Sequence, residues 1–294
     1  MNQLLHFCIK IVSFVSFQLG RRISRALFSV LGILWYDVLR IRRRQIVENI
    51  GIAFPDMPLN EKIKLGRENL LVSMANLADL MAIPLITRDW VSEHCIYEGS
   101  EHLEAAFKQG KGILMLGMHV GNGDLSANMI ALNQWPIHLI TKFFKNRKIN
   151  DIWFSVRGGQ GVNYIEPHGE KSPFQILKAL KSNGIVVFVI DQFMGKPFGI
   201  ETTFFGRKTG TAQGLALFHI KTKAPVIPVY CYEGDDRRFH LVFEPELLLK
   251  PLISGNKEES ILNLTQHFNQ VIERIVRKHP AHWMWLHRRW KKFE

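Results

Sequence analysis

The chain has 294 residues, 47% of them apolar and 22% charged, a globular balance that excludes a disordered or collagen-like protein and leaves room for one large α/β domain with an appendage. Its formal net charge of +12 points to negatively charged partners, whether anionic lipid, an acidic carrier protein or nucleic acid. Cys8, Cys95 and Cys231 are odd in number and lack metal-ligand spacing, which argues for buried thiols in a reducing compartment and against a disulfide framework.

Residues 4–19 form an apolar run interrupted by His6 and Lys10. It is shorter than the roughly 20 residues of a spanning helix. Arg21, Arg22 and Arg25 follow, then a second apolar run over 26–39, then Arg40, Arg42, Arg43 and Arg44. An early apolar segment trailed by arginines fits a retained membrane anchor with a basic cytoplasmic flank. The alternative is a helical hairpin packed on the domain, and spanning and lying flat both stay open. This divides the chain into a membrane-anchoring segment over 1–44 and a main domain over 45–294.

From Gln45 to Ile83 the pattern predicts helix, broken by a loop at Pro55 and Pro58. A strand is placed near 94–97, and then strands alternate with helices: strands at 112–118, 136–141, 162–166, 185–191 and 226–232, helices at 122–134, 147–157, 172–182 and 211–221. Such alternation predicts a largely parallel sheet flanked by helices on both faces. A hairpin over 235–243 adds one antiparallel edge, and 260–278 is a last long helix.

The stretch from Lys111 to Ser126 organises the rest. An apolar strand ends at His119, a turn containing Gly121 and Gly123 follows, and Asp124 stands at the start of a helix. Ligands bind at the carboxyl ends of strands in open α/β sheets. A histidine there, oriented by a carboxylate, is suited to take a proton from a hydroxyl, so His119 is the candidate base and Asp124 its candidate partner.

Arg157, at a helix end before Gly158, Gly159 and Gly161, is either a C-terminal cap or an anion contact. Asp191 and Gln192 end a buried run, where they fit a ligand site or, for the aspartate, a helix cap. Arg207 and Lys208, before Thr209-Gly210-Thr211, are placed at a predicted helix N-terminus that would hold phosphate, or in an exposed turn. Trp283, Trp285, Trp290 and Phe293 alternate with basic residues in the tail, a composition suited to a membrane interface or to single-stranded nucleic acid. No G-x-S-x-G elbow, H-E-x-x-H or Walker loop occurs.

Taken in order, these blocks resemble the lipid A biosynthesis acyltransferases, the lauroyl and myristoyl transferases of the lysophospholipid acyltransferase superfamily. The resemblance runs from Arg42-Arg43-Arg44 with Glu48-Asn49 and Phe54-Pro55, through the H-x4-D block His119 to Asp124, Arg157 with Gly161, Asp191-Gln192 and Phe204-Phe205-Gly206. It continues in Ala224-Pro225 with Pro228 and in the closing segment from Trp283 to Lys291. Many relatives carry tryptophan and glutamate where this chain has Gly123 and Asp124.

The resemblance implies an α/β acyltransferase with an N-terminal membrane anchor, on the cytoplasmic face of a bacterial inner membrane. It implies transfer of an acyl chain from acyl carrier protein to a hydroxyl of a lipid A precursor, without metal, bound cofactor or nucleic acid. His119 and Asp124 would be the general base and its partner; Arg157, Asp191, Gln192 and Arg207 would contact substrate. The rivals are a same-scaffold enzyme acylating a lysophospholipid or other glycolipid, with acyl-CoA as possible donor, and a non-enzymatic nucleic-acid-binding protein.

Overall fold

The computed structural model describes residues 11–294 apart from 12, 16, 159 and 160. The strands are β1 Cys95–Glu98, β2 Ile113–Gly121, β3 Ile137–Ile140, β4 Asn163–Ile165, β5 Ile185–Val189, β6 Gly199–Phe204, β7 Arg207–Ala212, β8 Val226–Glu233 and β9 Phe239–Phe243. The helices are α1 Gly20–Ile33, α2 Arg43–Ala53, α3 Leu59–Ala82, α4 Arg88–His94, α5 Ser100–Phe107, α6 Gly123–Leu132, α7 Arg147–Arg157, α8 Ser172–Lys181, α9 Gly214–Thr222 and α10 Lys257–Lys278.

Seven strands form one sheet in the order β1-β9-β8-β2-β5-β3-β4, every neighbouring pair parallel except β8 with β9. The hairpin expected within 235–243 is instead a turn and β9, which pairs antiparallel with β8, and β9 is not an edge because β1 pairs outside it. β5, and β2 from Ile113 to Met118, carry no polar side chain because both faces of the sheet are covered there. Leu114 and Leu116 face a core shared with Phe268 and Ile272 of α10 and with Trp283 and Trp285. Ile113 and Met115 face the opposite core, with Leu125 and Met129 of α6. The period of two along β2 thus builds both layers at once.

One predicted element is different. The segment holding Arg207 is not the entry to a helix but strand β7, paired antiparallel with β6 through a two-residue turn at Phe205 and Gly206, both at positive φ. Turns with two positive φ values match the twist of a hairpin. Phe205 sits under the Arg277 guanidinium with its N–H on Glu273, so packing on α10 holds it in this conformation. α9 begins later, at Gly214.

The N-terminal arginines also differ from a simple membrane flank. Arg25 bonds both Asp79 and Glu233, and Arg21 lies on the same two acids. These two arginines and Asp79 are largely buried, and burial lowers the Arg21 pKa. They pin α1 onto α3 and onto the end of β8. Arg22, Arg40, Arg42 and Arg44 stay exposed. No helix among the described residues is long and apolar enough to cross a membrane. The apolar run predicted over 4–19 lies mostly outside the described residues.

Removing one partner of a buried ion pair strands the other. Asp79→Ala is therefore expected to destabilise the protein by about 3 kcal/mol, read by denaturant unfolding; a change within about 0.5 kcal/mol would show that the cluster contributes no more than a surface pair.

Candidate active site

β2 pairs regularly with β8 up to Gly117 opposite Val229 and resumes at Gly121 opposite Cys231. Between these pairs β2 carries Met118, His119 and Val120 against Tyr230 alone, an irregularity of the kind that re-aims a side chain. On the other side, β2 pairs with β5 up to Gly117 opposite Val189. Two residues further along each strand stand His119 and Asp191, so the parallel register brings them face to face.

The contact is direct. Asp191 Oδ1 accepts from His119 Nδ1 at 2.8 Å, and Oδ2 accepts from the His119 backbone N–H at 2.7 Å and from Trp283 Nε1 at 2.8 Å. Asp191 is 1% exposed, while the His119 side chain keeps 33% of its surface open. An ionised carboxylate only accepts, so Nδ1 carries the proton and Nε2 is left with the lone pair. Gln192 Nε2 lies 3.2 Å from that nitrogen and 3.4 Å from Nδ1.

Burial by itself pushes the His119 pKa down, but the charge and hydrogen bond of Asp191, with a smaller push from Asp124, outweigh it and leave the pKa above its ordinary value. Burial by itself lifts the Asp191 carboxyl; His119 and Trp283 reverse that and hold it at about 2. The arrangement is a poised base with a fixed tautomer.

Asp124, expected to orient the imidazole, does something else. It stands in the first turn of α6, whose N-cap is Asn122, and its Oδ1 receives Arg157 Nε at 2.7 Å and an Arg157 NH group at 2.6 Å. Arg157 gives its remaining NH to Thr141 Oγ1 at 3.0 Å, and Asn128 Nδ2 donates to the carbonyls of Asp124 and Arg157 at 2.8 Å each. The spacing of five residues carries Asp124 around the turn onto the helix, where the guanidinium at the end of α7 reaches it. Asp124 acts on His119 through charge rather than through a bond.

Arg157 itself is 11% exposed and engaged on every side, flanked by the rings of Trp153 and Tyr164. It is not a free anion contact. Arg207 is exposed at the tip of the β6–β7 hairpin, at no helix N-terminus.

The C-terminal tail supplies what pattern reading missed. Trp283 and Trp285 are buried, not presented to a membrane or to nucleic acid, and Trp290 gives its indole N–H to the Phe204 carbonyl. Met284 N–H donates to the His119 carbonyl at 3.1 Å, and Trp283 bridges Val120. Asn69 of α3 and Asn49 of α2 clamp the tail by donating to the carbonyls of Ala281 and Trp283, and of Trp285 and His287.

Arg289 is wholly buried and has no carboxylate bond. It donates to Gln192 O at 3.3 Å, to Thr211 Oγ1 at 2.6 Å and to Gly210 O. It thereby locks the Asp191–Gln192 corner to the β6–β7 hairpin. Burial pushes its pKa down to about 10. No group of three or more metal-ligating side chains occurs among the described residues.

Comparison with known proteins places the chain in a family. The family of bacterial lipid A biosynthesis acyltransferases matches residues 2–292. The chain belongs to that family. Phosphatidylinositol mannoside acyltransferase of Mycobacterium tuberculosis strain H37Rv is similar at 25% identity over 195 residues, which is 65% of this chain and 58% of that relative. A lipid A biosynthesis acyltransferase of Haemophilus influenzae is 21% identical over 281 residues, 95% of this chain and 84% of the relative. The lipid A biosynthesis palmitoleoyltransferase of Escherichia coli K12 is 24% identical over 259 residues, 85% and 80% of the two chains.

Proposed function

We propose that this protein transfers a fatty acyl chain from a thioester donor to a hydroxyl of a lipid A precursor, with His119 as general base and Asp191 as its orienting carboxylate. The observation that carries the reading is the partly open imidazole whose inner nitrogen is held by a buried acid. His119 Nε2 takes the proton as the acceptor oxygen attacks the thioester carbonyl. The C–O bond forms, the C–S bond breaks, and the leaving thiolate recovers the proton from the imidazolium. No covalent enzyme intermediate is required. Gln192, beside Nε2, is placed to donate to substrate oxygen, and Asp124 with Arg157 fixes the wall of the site.

Family membership and the Haemophilus and Escherichia relatives, aligned over 85–95% of the chain, support the lipid A acceptor. The mycobacterial relatives support a second glycolipid, a phosphatidylinositol mannoside. Purified protein offered an acyl thioester with a lipid A precursor, a phosphatidylinositol mannoside and a lysophospholipid in turn is expected to acylate the first. Turnover of either other acceptor alone would remove the lipid A assignment.

His119→Ala is expected to lower kcat by about 10³-fold. The base works only when neutral, so activity rises with pH through the raised His119 pKa. Asp191→Asn removes the charge that raises it: kcat is expected to fall by about 10³-fold and the acidic limb to move to lower pH. An unmoved limb in Asp191→Asn would contradict the assignment.

The same protein is proposed to lay the face of α1 and the turn after it on an anionic membrane surface. α1 exposes Ile23, Leu27, Val30 and Leu31, and the helical turn Leu34–Val38 that continues it exposes Leu34 and Val38, at helical spacing, while Arg21 and Arg25 tie α1 down through Asp79 and Glu233. Exposed Arg22, Arg40, Arg42 and Arg44 flank this face. That is the pattern of an in-plane amphipathic segment. Leu27→Glu with Val30→Glu is expected to cut sedimentation with phosphatidylglycerol vesicles at least about tenfold; undiminished binding would rule this face out.

A further inference from the structure

Between β3 and α7 the chain runs Lys142-Phe143-Phe144-Lys145-Asn146-Arg147-Lys148-Ile149, with no acid before Asp151. Lys142, Lys145, Arg147 and Lys148 are exposed, and none of them forms an ion pair among the described residues. Phe144 is 46% exposed and Ile149 48%. The segment is nevertheless held in shape. Asn146 caps α7 by accepting from Lys148 N and Ile149 N, Asn150 accepts from Phe144 N at 3.0 Å, and Phe144 stands edge-on to Trp153.

Position gives this basic finger its interest. β3 is parallel to β5 and, through it, to β2, so the finger leaves the sheet at the end where His119 stands. α7 then leads from Arg147 to Arg157, the residue bonded to Asp124. Eleven residues at 1.5 Å each put about 15 Å between the finger and that pair.

We propose that this finger docks an acidic protein that presents the acyl thioester on a flexible arm. The proposal rests on the acyl-transfer reading and locates the surface where a protein carrier of its donor docks. Charge outweighs apolar surface here: four cations surround two apolar side chains, whereas α1 exposes a continuous apolar stripe. A charge-dominated contact with one protruding aromatic suits an acidic protein, steering its approach, better than insertion into lipid. A preformed finger also spares the ordering cost of a mobile loop.

The test compares full-length protein with Lys145→Glu/Arg147→Glu/Lys148→Glu. Carboxylates near the first turn of α7 are favoured by the helix dipole, so the fold is expected to survive. A serine triple variant at the same positions provides a milder change. Kinetics are measured with acyl–acyl carrier protein, an acidic protein donor, and with acyl-pantetheine, a small uncharged one.

For the glutamate variant, KM for the protein donor is expected to rise about tenfold or more with kcat little changed, and the kinetics with acyl-pantetheine to stay as they were. The serine variant is expected to shift KM in the same direction by less. An unchanged KM for the protein donor would overturn the proposal. So would an equal change with both donors, or a loss of phosphatidylglycerol-vesicle binding as the only effect, which would assign the finger to the membrane. Wild-type protein that transfers from neither donor would instead remove the acyl-transfer reading, and the docking proposal with it.

Discussion

A buried carboxylate survives in a protein interior only when its oxygens are satisfied, and Asp191 satisfies both: one on the His119 ring, the other on the His119 backbone and the Trp283 indole. Much of the architecture follows from that requirement. The β2–β5 register must be kept, because a one-residue slip would part the pair. The tail must return across the strand ends, because without Trp283 one oxygen loses a donor. The asparagines of α2 and α3 must meet the tail, because they hold it there.

This explains a division of labour between two acids that look interchangeable in composition. Asp191 is dry, fixed and bonded to His119; Asp124 is partly open and neutralised by Arg157. The first sets the tautomer and basicity of His119. The second ties the start of α6 to the end of α7, and so couples the wall of the site to the element that carries the basic finger. Arg289 does the equivalent on the opposite flank, where a buried cation holds the corner after β5 against the hairpin.

The alternation of apolar runs with amphipathic ones made the parallel sheet legible in the sequence, since period two and period 3.6 leave different patterns. His119, Asp191 and Gln192 were legible as polar residues ending buried strands. Their pairing was not: nearness along the chain favoured Asp124, while the true partner is set by register, a long-range property that spacing does not encode. The β6–β7 hairpin stayed hidden because its turn uses Phe205 at positive φ, where hairpins ordinarily show asparagine or glycine. The tail misled through composition, for tryptophan and arginine suit an interface and a tightly packed corner alike. The arginines after the first apolar run did likewise, since two of them meet Asp79 and Glu233 from a distant part of the chain.

The central claim is that Asp191, and not Asp124, holds the base. Nitrogen-15 NMR of histidine-labelled protein tests it most directly, by following the His119 ring through a pH titration in wild type, Asp191→Asn and Asp124→Asn. The account expects a proton on Nδ1 and a pKa above the ordinary histidine value in wild type. Asp191→Asn should bring the pKa down and disturb the tautomer; Asp124→Asn should leave the tautomer in place and lower the pKa less. A ring whose tautomer and pKa follow Asp124 and ignore Asp191 would contradict it.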